Sequence, residues 1–257
     1  MEQLDSKLLE KLSKERSPNS ISIYIPTPKT DPGSKEDANR INLKNKLKEA
    51  REQMKEQGWQ DDEITEYLQP INALTEDALF LRNLWNGLVI FLNQNTFEYF
   101  RVPMDFDDFM YMGRDFYLLP LLRPLKENIS ESPKDETVNG LQQKAWSLIQ
   151  KELDNEKEQM VRKYIDVTNK SDIVEEIIPN ILYGRVDTLF VNCRQYVWGK
   201  LEPETFDVEI HSERDKDCED LLNYAAIRAF KHDGNVYLME PEDMPQKNKL
   251  LNAIYRF

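Results

Sequence analysis

Hydrophobic positions recur along this chain with two periods. Leu4, Leu8, Leu9 and Leu12 share one helical face, so the spacing predicts a first helix over about Leu4–Lys14. Ser17-Pro18-Asn19 breaks it, and Ser20-Ile21-Ser22-Ile23-Tyr24-Ile25 alternates with period two, as a strand does. Pro26-Thr27-Pro28 stops that strand and opens a polar loop through Gly33. A long helix is then predicted from about Glu36 to Gln57, with core positions Leu43, Leu47, Ala50 and Met54 and Gly58 at its end. A shorter helix follows from Asp61 through Leu68, limited by Pro70. Leu88–Leu92 reads as a buried strand, Asn93-Gln94-Asn95 turns the chain, and Phe97–Val102 returns as its hairpin partner.

The character changes after Pro124. Residues 126–138 are polar, charged and contain Pro133, which marks a linker between domains. Beyond it, Leu141–Tyr164 predicts a long charged helix, and Ser171-Asp172 can cap a second one over Ile173–Tyr183, closed by Gly184. Pro179 would kink or shorten that helix. Val186–Val191 and Val236–Met239 are predicted strands, Tyr196–Trp198 and Phe206–Ile210 are short strand candidates, and Leu251–Phe257 closes the chain as a strand. Cys218, Leu221, Leu222, Ala225 and Ala229 line the face of a helix that ends before Gly234. Alternating helices and strands predict an α/β (α+β layered) chain of two domains, 1–125 and 139–257, joined by the linker at 126–138.

Composition narrows the classes. With 257 residues, 40% of them apolar, the chain can bury a core without disulfide staples. A formal net charge of -13 is the wrong sign for a non-specific nucleic-acid binder, so any RNA contact has to come from a local patch. Two cysteines, Cys193 and Cys218, and two histidines, His211 and His232, are too few and too scattered for a structural zinc site. The opening residues are polar and the apolar runs are short, so a cytoplasmic protein with no membrane contact is expected.

Catalytic signatures are missing. No two of the eight glycines are adjacent or one apart, which excludes dinucleotide-binding fingerprints and, by their spacing, P-loops and nucleophile elbows. Asp105, Asp107 and Asp108 form an acidic cluster that suits acid–base work or a divalent ion, and equally suits a solvated turn. Cys218 reads as a small buried hydrophobe, and Cys193 has no base placed for it by the sequence. His232, at a helix C-terminus, complements the helix dipole. No catalytic residue, cofactor or metal ligand is therefore assigned.

Lys44, Lys48, Arg51 and Lys55 fall at i, i+4, i+7 and i+11 on the long helix, and Arg40 extends the row by one turn. Such a stripe can meet phosphates of RNA. It can also be an ordinary solvated face whose long stems cover the edge of the core.

Several segments together resemble a known family. Ser22–Pro28, the long helix, Asn86-Gly87-Leu88-Val89-Ile90-Phe91 and Phe116–Leu122 are similar to the N-terminal domain of the bacterial homologues of the archaeo-eukaryotic peptide-chain release factor, relatives of Pelota. Gly184–Phe190, Trp198-Gly199, Asp220-Leu221-Leu222-Asn223 and Gly234–Met239 through Phe257 are similar to that family's C-terminal domain. The resemblance implies an L7Ae-like α/β/α sandwich for the second domain. It implies a ribosome-associated translation factor, for release or ribosome rescue, that meets rRNA or tRNA through Arg40, Lys44, Lys48, Arg51 and Lys55. It also implies a translational GTPase as partner of the C-terminal domain. The family's middle domain, which bears Gly-Gly-Gln in the peptidyl-tRNA hydrolysing members, belongs where this chain has only its polar linker. With no adjacent glycines, peptide release is not expected from this chain alone. Two alternatives stay open: a hydrolase component completed by a partner, and a protein-interaction module with no RNA contact.

Overall fold

Strand β1 (Arg16–Pro26) organises the first half of the chain. It pairs antiparallel with β2 (Gly87–Leu92) on one side and with β4 (Phe109–Asp115) on the other, and β3 (Phe97–Val102) pairs with β2, giving the order β3-β2-β1-β4. The computed structural model describes residues 6–27, 32–84, 86–102, 106–122, 155–202, 204–214 and 218–257. It divides into two units, Met1–Tyr117 and Leu118–Phe257.

The register explains the two faces of the first sheet. Ile23 stands opposite Ile90 and Met110, and with Ile21, Ile25, Leu88, Leu92 and Met112 these side chains build one core. Helix α2 (Pro32–Glu56) lies on that face with Leu43, Leu47, Ala50 and Met54 buried in it, as the period predicts. The helix opens earlier than its apolar stripe does, at Pro32, a residue pre-set for a first helical position. Gly58 follows it at φ +92, where only glycine is unstrained. Helices α3 (Asp61–Tyr67), α4 (Gln69–Glu76) and α5 (Ala78–Arg82) complete the layer. Pro70 ends one helix and opens the next, and Asp77 caps α5 by accepting from the Phe80 N–H at 2.9 Å.

The opposite face is aromatic. Tyr24 and Phe91 cross edge to face at 6.2 Å, and Phe91 meets Phe116 at 5.1 Å. Tyr24 donates its hydroxyl hydrogen to the Tyr117 carbonyl while the Tyr117 N–H donates to Ser22 Oγ at 2.9 Å, which pins the end of this unit to β1. Helix α1 (Ser6–Leu12) joins this side, where Lys11 pairs with Glu98 at 3.0 Å. Residues Ser17-Pro18-Asn19, expected as a break, lie within β1 instead. The strand absorbs them through a register shift between Arg16 and Ser20, with Asn19 at φ 65.

The second unit holds a mixed sheet of order β10-β6-β11-β5, built from β6 (Val186–Asn192), β10 (Asn235–Met239), β11 (Leu251–Tyr255) and the short β5 (Lys170–Ser171). β10 runs parallel to β6, and β11 antiparallel to it. Phe190, Tyr237, Met239 and Ile254 pack with Tyr164 of helix α6, whose described part covers 155–166. Alternate residues of the same strands face helices α7 (Val174–Leu182) and α8 (Leu221–Lys231), so the sheet is sandwiched between helices. This is the layered α/β arrangement expected. Pro179 sits inside α7 without ending it, and Gly184 closes the helix at φ 68.

A small ribbon, β8-β7-β9, completes the unit: β7 (Trp198–Leu201), β8 (Val208–Ile210) and β9 (Glu219–Asp220). Here one expectation fails. Cys218 is buried but does not belong to a helix, because α8 starts only at Leu221, after its cap Asp220. The unit boundary also differs from the expected one. Leu118–Leu122, read as the end of the first domain, belongs to the second unit, where the Asn223 side-chain carbonyl accepts the Leu118 and Leu119 N–H groups at 3.0 and 3.1 Å. The linker at 126–138 and most of the predicted Leu141–Tyr164 helix lie outside the described residues.

Candidate functional site

The basic stripe does form one row on α2, but neighbouring helices answer it charge for charge. Arg40 donates to Glu36 at 2.7 Å and to the Thr75 carbonyl at 3.0 Å, and stands 3.7 Å from Asp37. Lys44 pairs with Glu76 on α4 at 3.5 Å, and Lys48 with Glu52 at 3.8 Å. Asp61, the first residue of α3, lies 2.8 Å from Lys55 and 3.9 Å from Arg51. Lys55 and Arg51 hold the Asp61 carboxyl below the ordinary carboxylate range, and Thr75 with Lys44 does the same for Glu76. The face is thus lined by both signs rather than by a uniform positive field. Arg40 is the most enclosed member, since Arg82 also reaches Glu36, at 2.5 Å, and lowers its pKa together with Arg40.

The most deeply placed cation of α2 is one the sequence did not single out. Lys46 is buried, and its ammonium bridges Glu49 at 2.9 Å and Asp108 at 3.0 Å. Burial pulls its pKa down, and the two carboxylates more than reverse that, so it stays charged. Asp108, one of the three candidate acids, is therefore committed to an ion pair. Asp107 is exposed, and Asp105 lies outside the described residues. Among the described residues no group of three metal-ligating side chains gathers.

In the second unit Cys193, His211 and His232 each make local polar contacts. Cys193 Sγ lies 3.6 Å from Glu240 Oε1, and Arg194 binds that same carboxylate at 2.7 and 3.1 Å. A thiol facing a claimed carboxylate is not paired as a nucleophile is paired with imidazole. His232 caps the C-terminus of α8, and its carbonyl accepts from Arg256 at 2.6 Å. His211 Nε2 stands 3.5 Å from Glu209, and the His211 N–H donates to the Trp198 carbonyl at 2.8 Å.

Among the described carboxylates Asp220 is the most deeply buried. Its Oδ1 accepts from the Val197 and Leu222 N–H groups, each at 3.1 Å, so it both caps α8 and ties down the start of the ribbon. Burial lifts its pKa to about 6, against the downward pull of the Val197, Leu222 and Asn223 N–H groups. Gly199 has an equally local reason. A Cβ there would meet the Glu209 carbonyl at 2.4 Å and Leu221 Cδ1 at 2.5 Å. The Trp198-Gly199 and Asp220–Asn223 segments thus serve one junction: close ribbon packing, a helix cap, and the anchor for residues 118–119.

No family model and no curated protein sequence matches the chain. Among solved structures it is similar to the C-terminal domain of peptide chain release factor from Methanosarcina mazei. That likeness has a TM-score of 0.36 and 13% identity, over 49% of this chain and 98% of that one. Such a score does not by itself assign a fold. Among the described residues no helix is long and apolar enough to cross a membrane.

Proposed function

We propose that this chain is a non-catalytic translation factor that associates with the ribosome, in the manner of a release or rescue factor without its hydrolytic domain. One observation supports this reading most. The segments that resemble the release-factor family fall in order on the core elements of two α/β units: β1, α2 and β2 in the first, then β6, β7, α8, β10 and β11 in the second. The lack of any Gly-Gly pair argues against peptidyl-tRNA hydrolysis by the chain itself. The paired state of the α2 cations bears on how contact is made. A phosphate chain would have to displace Glu76, Asp61 and Glu52, which returns little free energy from counterion release. Protein-mediated contact is therefore the better-supported mode, and a translational GTPase remains one partner of that kind.

Ribosomes stalled on peptidyl-tRNA provide the test. We expect the chain to be retained with the ribosomes while the peptide stays on its tRNA. Peptide release by the chain alone would overturn the non-catalytic assignment, and failure to be retained would overturn the association.

A further inference from the structure

We propose that the outer face of the β8-β7-β9 ribbon is a docking surface for an arginine- and lysine-rich segment of a partner protein. The absent Cβ of Gly199 points at Leu221, which makes that side of β7 the inner one. By strand alternation Trp198 and Lys200 stand on the outer side, and Glu209, register partner of Lys200, stands with them. Tyr196, 46% exposed, stacks on Trp198 with ring centres 5.8 Å apart and planes 11° from parallel. The Arg214 guanidinium lies over the Trp198 ring at 4.9 Å. The chain's own arginine thus already uses the ring as a cation–π seat, which is the interaction an incoming arginine would make.

Charge selects the partner. Among the described residues from 200 to 219 there are six carboxylates against two cations, Lys200 and Arg214. This field repels phosphate, so the aromatic stack is poorly placed as a base-stacking platform for RNA. It attracts a basic polypeptide, whose guanidinium groups can pair with carboxylates and lie on aromatic faces together. The proposal is independent of ribosome association, because it concerns this surface and a basic peptide alone.

The probe is fluorescein-labelled deca-arginine, titrated against the full chain by fluorescence anisotropy at about 50 mM salt, where Debye screening is modest. Saturable one-to-one binding is expected, weakened about threefold to tenfold by Tyr196→Ala, the loss of one exposed cation–π seat. Arg214→Gln should tighten it, by removing the internal occupant. Trp198→Leu should weaken it further. If that variant does not fold, the exposed Tyr196→Ala decides. Unchanged affinity in Tyr196→Ala would leave only diffuse charge attraction and overturn the site. Preferential binding of a single-stranded oligonucleotide over deca-arginine would overturn the class of partner.

Discussion

Asp220 carries two jobs that conflict. As a cap it must accept N–H groups, and as a buried residue it is penalised for being charged. Its folded pKa of about 6 lies above the ordinary 3.8. Between those values the folded chain keeps a proton that the unfolded chain has lost. Stability from this group is therefore full below about pH 4, falls as pH rises toward 6, and is flat above. The difference is about 3 kcal/mol. Asp187 works in the opposite sense, since Lys163 and Thr188 outweigh its burial and lower its pKa. Asp220→Asn keeps a capping carbonyl and removes the charge. We expect it to raise the melting temperature of the second unit at pH 7 and to remove part of the pH dependence between 4 and 6. A melting curve at pH 7 lower than wild type would contradict this. Gly199→Ala should cost about 1–3 kcal/mol, because the added methyl meets the Glu209 carbonyl of the paired strand. Denaturant unfolding of that variant measures it directly.

At the scale of elements, what could be read from the sequence depended on whether burial was one-sided. α2 was legible because its apolar stripe repeats every helical turn and its other faces are polar. β2 was legible as a short apolar run, buried on both sides. β4 was not, since Phe109-Met110-Tyr111-Met112 is apolar on both faces yet carries an aromatic-methionine mixture that favours no period. α4 and α5 escaped because each is under three turns and their cores are supplied by α2. The basic stripe was visible as a row, but its partners Glu76 and Asp61 come from other helices and are a property of the fold. Nor does spacing reveal that Lys46 is buried and pairs with the exposed Asp108, or that Asp220 is enclosed. Two element-scale outcomes follow. Leu222→Asp places an unpartnered carboxylate where α8 is buried, costs several kcal/mol, and should abolish the cooperative unfolding of the second unit. Lys48→Gln with Arg51→Gln should change stability by less than about 1 kcal/mol, because exposed pairs contribute little. The same double variant should leave the salt dependence of ribosome binding unchanged. A slope flattened by about one unit per lost cation would restore phosphate contact to this face.

For the whole molecule, charge and chemistry agree in direction. The chain carries an excess of 13 negative charges, and its basic row is paired with carboxylates; on the proposed reading both favour contact with proteins over nucleic acid. The absence of adjacent glycines removes the one hydrolytic device its resemblance would lend it. Association with the ribosome is the central claim of the proposed function. The direct measurement is sedimentation of the source-cell lysate through a sucrose gradient, with the chain followed across the fractions in growing and stressed cells. We expect it to travel with ribosomal particles in at least one of those states. A chain that stays at the top of the gradient in all of them would contradict a translational role.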